Sequence, residues 1–130
     1  MEVTVDFQGG MKFAAQCGKH EFIIDLPEES GGTDEGPTPP ECFLASLGSC
    51  VGVYVAGFCR NNGIDAKDLR ISITADKIQH PTRLDNIDIQ IFLPEKAGER
   101  EAALLSVAKR CLIHNTLHGN PQVDIELKTV

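Results

Sequence analysis

GPTPPECFLASLGSCVGVYVAGFCR, residues Gly36–Arg60, decides how the rest of the chain is read, because it joins a strong helix-start signal to a long uncharged run. Pro37, Pro39 and Pro40 are tolerated before a helix or in its first turn but not in its middle, which makes Thr38 the N-cap and puts Glu41 in the first turn. The helix is predicted to start near Pro39. The 18 residues Cys42–Cys59 carry no charge, and at a rise of about 1.5 Å per residue they extend roughly 27 Å. That is the length of a membrane span, but Ser46, Gly48, Ser49, Gly52 and Gly57 interrupt it, and Asp34, Glu35 and Glu41 precede it without basic residues to orient it. The run therefore reads as the buried central helix of a domain or of a dimer. Ala45, Gly48, Ser49, Gly52 and Ala56 recur at spacings of three and four, a stripe on which a second helix is expected to lie close. Cys50 sits mid-run on the face of Leu47, Val53 and Tyr54.

Outward from this helix, 130 residues make a single domain spanning 1–130. A formal net charge of −7, with no basic cluster, excludes nucleic acid and anionic membrane surfaces as partners. The start of the chain has no basic, apolar signal segment, and five cysteines is an odd number for a disulfide framework, so reduced thiols and a cytoplasmic location are expected. Neither C-x-x-C nor paired Cys/His spacing is present, so no structural metal or other cofactor is expected.

Upstream, Val3, Val5 and Phe7 alternate with Thr4 and Asp6, Gly9-Gly10 turns the chain, and Met11, Phe13 and Ala15 continue the alternation. After Gly18-Lys19, Phe22, Ile24 and Leu26 complete a three-stranded antiparallel meander whose apolar face the central helix is expected to cover. The 12-residue segment Pro27–Thr38, with four acids and three glycines, predicts a mobile loop open to proteolysis. Downstream, Asn61-Asn62-Gly63 ends the helix. Alternation over Leu69–Ala75 and Ile87–Leu93 predicts a second hairpin. From Ala97 a continuous second helix is predicted, with Leu104, Val107, Ala108, Cys111 and Leu112 on its apolar stripe and Gly119 and Pro121 as its stop. Val123, Ile125 and Leu127 alternate with polar residues as a final strand. The order βββαββαβ is an α+β fold with two antiparallel sheets around buried helices. One further helix does not suffice to shield the central one, so a homodimer sharing a core is expected.

A free cysteine in a core is ordinarily a small hydrophobe, and Cys17, Cys42 and Cys59 keep that reading. Cys50 and Cys111 each lie on a core stripe of a helix, and thiols that meet across such an interface suit peroxide chemistry, in which one sulfur becomes a sulfenic acid and a second resolves it. Glu41 is the candidate carboxylate for such a site. Nine residues along a helix is about 13.5 Å and half a turn out of phase, so Glu41 is expected to act before the helix begins or from a partner chain. Cys111, His114 and His118 share a helical face, but no fourth ligand is signalled and no metal is expected; His114 is read as a local positive charge that lowers the Cys111 pKa.

The segments GPTPPECFLASLGSCVG, Gly36–Gly52, and AKRCLIHNTL, Ala108–Leu117, resemble the two signature cysteine segments of the OsmC/Ohr family, the osmotically induced and organic-hydroperoxide-resistance proteins. The resemblance implies an intertwined homodimer with two sites at the interface, Cys50 as the peroxidatic and Cys111 as the resolving cysteine, and thiol-dependent reduction of organic hydroperoxides at the expense of a dithiol reductant. Two features depart from the hydroperoxide-resistance branch. That branch carries an arginine near its N-terminal strands, whereas the first arginine here is Arg60, with Lys12 and Lys19 the early cations. It also places its carboxylate ten residues before the cysteine, where this chain has Pro40, with Glu41 one step later. The chain is more similar to the general OsmC-like branch. The alternative function is a non-enzymatic, dimeric binding or redox-responsive protein, and turnover of an organic hydroperoxide with a dithiol separates the two.

Overall fold

The computed structural model describes residues 1–94 and 97–130, which fall into two compact units: residues 1–45 with 76–85, and residues 46–75 with 86–130. Strands β1 (Val3–Phe7), β2 (Phe13–Cys17) and β3 (His20–Ile24) precede helix α1 (Pro39–Asn61), which is followed by β4 (Arg70–Ile78), β5 (Arg83–Phe92), α2 (Glu101–Ala108) and α3 (Leu112–His118). The α+β class is as expected, with one three-stranded and one two-stranded sheet.

In the first unit, β2 is the middle strand, antiparallel to both neighbours, and its register sets Val5 opposite Ala15 and Ala15 opposite Phe22. Val3, Val5, Phe7, Phe13, Phe22 and Ile24 therefore share one face, the alternation read from the sequence. On that face Val3, Val5, Phe7, Phe13 and Phe22 are all exposed, Phe7 by 64%.

The acidic segment after β3 is tied down, contrary to the mobile loop expected. Asp25 is only 1% exposed. Its carboxylate accepts hydrogen bonds from the backbone N–H groups of Leu26, Thr33 and Glu35 and from the Thr33 hydroxyl, while its own N–H donates to the Pro37 carbonyl at 3.1 Å. Lys12 reaches across to Glu35 at 2.5 Å. Gly32 and Gly36 lie against backbone so closely that a Cβ would overlap the carbonyl oxygens of Leu26 and Ile23 respectively. The sequence reading failed because a buried aspartate just ahead of the loop organises it, not an apolar anchor inside it. Burial alone would raise the Asp25 pKa, but the hydrogen bonds from Leu26, Glu35 and Thr33 outweigh it and hold the carboxyl below its ordinary value.

Helix α1 starts where the prolines put it. Thr38 and Glu41 form a capping box: the Glu41 carboxylate accepts from the Thr38 hydroxyl (2.6 Å) and N–H (3.2 Å), and the Thr38 hydroxyl accepts the Glu41 N–H at 3.4 Å. The helix ends at Asn61. Gly63 is left-handed, with φ of 65°, and the Ile64 N–H returns to the Cys59 carbonyl at 3.0 Å, the six-to-one bond of a Schellman end. Arg100 also donates to the Asn62 carbonyl. Among the described residues α1 alone is long and apolar enough to cross a membrane by length and composition.

In the second unit one stripe of α1, Leu47, Val51, Val55 and Cys59, is buried with Leu104, Ala108 and Cys111 to form the core. Partly buried Ile71 and Ile73 of β4 and Ile87, Ile89 and Ile91 of β5 pack against it, so the alternation of the second hairpin is as read. The small-residue stripe serves a sheet, not a second helix: a Cβ at Gly48 would meet Ile73 at 3.4 Å and one at Gly52 would meet Ile71 at 3.5 Å. Nor is α1 buried all round, since Phe43, Val53 and Tyr54 are exposed.

Two further expectations are corrected here. The second helix is broken after Ala108, and Cys111 adopts an extended conformation (φ −63°, ψ 149°) as the N-cap of α3, so it does not lie mid-helix. After the α-helical bond of Lys109 N–H to Leu105 O, the end of α2 tightens through the i→i−3 bonds of Arg110 N–H to Val107 O and Cys111 N–H to Ala108 O, and the Cys111 sulfur then accepts the His114 N–H at 3.3 Å. The final strand of βββαββαβ does not form: residues 121–130 have no strand pairing, and Ile125 and Leu127 are almost fully exposed. A lone strand without an edge to join has no partners for its backbone groups.

The Asp25 anchor predicts an acid-sensitive loop. Because its pKa is depressed on folding, its contribution to stability is present above the unfolded aspartate value of about 3.9 and is lost as pH falls through the lower folded value. Asp25→Asn is expected to lower the melting temperature at pH 7, with the gap to the parent protein closing below about pH 4. Gly36→Ala is expected to cost about 1–3 kcal/mol or more in denaturant unfolding, from overpacking against backbone.

Candidate active site

Cys50 is on α1 and Cys111 caps α3, and both thiols belong to the core of the second unit. None of the five cysteines forms a disulfide among the described residues. The Cys111 thiol is fully buried, at 0% exposure, whereas Cys50 is half-buried and packs against the same cluster. The two side chains belong to one packed cluster, and Cys50 lies near enough to Cys111 to affect the ionisation of its thiol. Sequence spacing alone did not bring them together, since the break after α2 is what turns Cys111 out of a helix and onto the end of one. Cys50 reaches the site because it lies beside the buried Leu47–Val51–Val55 stripe, one residue from Val51.

The electrostatics of Cys111 differ from the expectation. Burial raises its pKa; the His114 N–H works in the opposite direction, but the neighbouring Cys50 sulfur adds to the rise. His114 acts on this sulfur through its backbone, not as the cationic ring expected to lower the pKa. The imidazole faces the other way along the helix in its polar contacts: its Nε2 lies 3.2 Å from His118 Nε2. No group of three metal-ligating side chains is found among the described residues.

Glu41, the third residue singled out from sequence, is an exposed group of the first unit engaged with Thr38. Those Thr38 hydrogen bonds hold its carboxyl below the ordinary glutamate value against a weaker opposing effect of burial. Lys12, one of the early cations, is likewise engaged, by Glu35. Cys42 has its pKa raised, first by burial and then by the adjacent Glu41 charge, which fits a packing role. His118, read from the sequence as sharing a helical face with His114, packs its ring against that of His114 in a tilted contact with centroids 4.4 Å apart, as the i, i+4 spacing allows.

Comparison with known proteins extends the picture. A hydroperoxide reductase from Mycoplasma genitalium is 28% identical over 112 residues, covering 82% of this chain and 79% of its own. The fold is shared with an osmotic-stress-induced and detoxification-response protein from Psychrobacter arcticus 273-4 (TM-score 0.79, 21% identity, 88% of this chain and 85% of that one). It is shared also with the organic hydroperoxide resistance protein OhrB of Bacillus subtilis (TM-score 0.63, 20% identity, 98% of each chain). Residues 32–126, which contain both cysteine segments and the helices that carry them, match the model of the OsmC-like proteins, and the chain belongs to that family.

Proposed function

We propose that this OsmC-like protein is a thiol-dependent peroxidase that reduces organic hydroperoxides in oxidative-stress defence. The observation that carries the reading is the juxtaposition of two free thiols, one half-buried and one fully buried, in an apolar core. The hydroperoxide reductase among its relatives supports it. In the cycle, the Cys50 thiolate attacks the terminal oxygen of the hydroperoxide, the O–O bond breaks, and the alkoxide leaves as an alcohol after taking a proton. Cys50 is left as a sulfenic acid. The Cys111 sulfur then attacks the Cys50 sulfur, water departs and a disulfide forms. An external dithiol returns both thiols.

The assignment of roles follows from access. A hydroperoxide meets the half-buried Cys50 before the enclosed Cys111, and a thiol whose pKa is raised by burial stays protonated until the sulfenic acid is there to receive it. The apolar lining suits an alkyl group. Glu41 retains a proposed part at the thiols only as the carboxylate of a partner subunit, its own chain using it as a cap. The alternative, a redox-responsive protein oxidised once without turnover, draws on the engagement of Lys12 by Glu35, which removes one early cation from thiolate stabilisation.

We further propose a homodimer, with cytoplasmic thiols kept reduced. The support is apolar surface left open on one chain: the Val3, Val5, Phe7 and Phe22 face of the meander, Val53 on α1, and the alternating Val123, Ile125 and Leu127 of the tail. Sedimentation equilibrium at micromolar concentration is expected to give twice the 14.1 kDa chain mass; a cooperative, folded monomer would contradict it.

Cys50→Ser is expected to abolish consumption of cumene hydroperoxide with a dithiol reductant. Cys111→Ser is expected to permit one oxidation event and then let Cys50 proceed to sulfinic acid, read by mass spectrometry. Unchanged turnover in Cys50→Ser would sink the assignment, and a single stoichiometric oxidation without turnover in the parent protein would favour the redox-responsive alternative.

A further inference from the structure

The two histidines of α3 are left unused by the thiol chemistry. His114 and His118 are four residues apart, so their side chains leave the same face of the helix one turn from each other. Their Nε2 atoms lie 3.2 Å apart, whereas the ring centroids are 4.4 Å apart and the planes are tilted by 51°. The rings therefore lean together at their Nε2 ends. His118 is exposed and His114 half-buried. The second nitrogen of His114, Nδ1, is buried, so Nε2 is the one that an ion arriving from solvent can reach. With both rings neutral, this spacing accommodates a single hydrogen bond, a proton on one Nε2 and a lone pair on the other. It is also the spacing of two donors that share one metal ion.

An imidazole nitrogen binds zinc at about 2.0–2.1 Å, so two of them 3.2 Å apart subtend about 99–106° at a common ion, near the tetrahedral angle of about 109°. We propose that His114 and His118 form a bidentate site for a divalent transition-metal ion of the class that prefers imidazole, with water completing its shell. The donor set fixes the class. Neutral nitrogens suit zinc, copper and nickel, while the residues Leu112–His118 include no carboxylate to supply the oxygens that calcium and magnesium need. The polar side chains between the histidines are occupied elsewhere, Asn115 with the Arg110 carbonyl and Thr116 with the Leu112 carbonyl. The sequence reading set a metal aside for want of a fourth protein ligand; that criterion belongs to closed structural sites, and a solvent-facing site keeps positions for water.

Binding is a ligand exchange without oxidation or reduction. Two waters leave the hydrated ion, each Nε2 supplies a lone pair, and the ring that carried its proton on Nε2 moves it to Nδ1 through solvent, a shift open to the exposed His118. The ion then closes a ring across one helical turn. With seven residues, α3 is too short to be stable in isolation, and an ion held by both histidines stabilises its helical form. The His114 N–H is the donor that holds the Cys111 sulfur at 3.3 Å, so fastening α3 also fastens the cap on that thiol. The site does not rest on the peroxidase reading.

Titration of the full-length chain with zinc chloride, followed by calorimetry and by the histidine ring signals in NMR spectra, tests the site. The parent protein is expected to take up one ion that moves the ring signals of His114 and His118 and leaves those of His20 and His80 in place. His118→Gln and His114→Gln are each expected to weaken this binding by about 100-fold, because the second nitrogen no longer acts within the same molecule. Nickel is expected to bind more tightly than cobalt, and cobalt more tightly than manganese, with no uptake of magnesium over the same range. Zinc bound by His118→Gln with the parent affinity puts the ion elsewhere, on the thiols above all, and overturns the site. Ring signals of His114 and His118 that do not respond to zinc overturn it as well, and so does magnesium taken up as readily as zinc. Should His114→Gln fail to fold, the exposed position 118 decides by itself.

Discussion

Burial of the Leu47–Val51–Val55–Cys59 stripe of α1 against Leu104, Ala108 and Cys111 is the contact on which the second unit depends. Each fully buried aliphatic side chain of this kind is worth about 1.5–3 kcal/mol, so the stripe sets the position of α1 far more firmly than any single polar bond does. The consequence for chemistry is direct. Cys111 is itself part of the core and Cys50 is the next residue along from Val51, so the thiols are placed by packing and not by a flexible loop. Sites held on core elements keep their geometry through thermal motion. A substitution such as Leu47→Ala, distant from any sulfur chemistry, would disturb the site by way of the packing that supports it.

Parts of this architecture were written locally and were therefore legible. The Thr38-Pro-Pro-Glu41 start, the Asn62-Gly63 stop and the alternating Ile87, Ile89 and Ile91 each specify a conformation within a few residues. What was not legible depends on distant partners. Asp25 looks like an ordinary polar residue at the end of a strand, and only the folded chain shows Thr33 and Glu35 brought back to it. The break between α2 and α3 has no glycine or proline to announce it, and cysteine is not among the residues that signal a cap. The glycines of α1 were rightly taken as a close-approach surface, but periodicity says nothing about whether a helix or the isoleucines of a sheet will fill it. The tail alternates like a strand and yet finds no edge in one chain.

The carboxylates of the first unit are held by partners within it. Glu35 is held ionised by Lys12 and the Thr33 hydroxyl, and Glu41 by Thr38. Thr33 makes the coupling in the loop tight: its hydroxyl oxygen lies 2.9 Å from Asp25 Oδ2 and 2.6 Å from Glu35 Oε2, and its single proton can be given to only one of them at a time. These carboxylates lock the approach to α1. The buried sulfur, by contrast, is governed first by desolvation, which favours a neutral thiol and places the burden of ionisation on whatever group can take its proton.

The capping box at the head of α1 bears on how this family member is to be dissected. Thr38 and Glu41 satisfy each other's backbone N–H groups, and that motif accepts glutamine as readily as glutamate in its last position. Replacing one carboxylate oxygen by an amide nitrogen thus leaves the helix start intact and deletes only the negative charge. Truncation to alanine deletes both. Position 41 is a natural orthogonal handle, where the folding role of a side chain and any electrostatic role of its charge come apart in a single pair of substitutions.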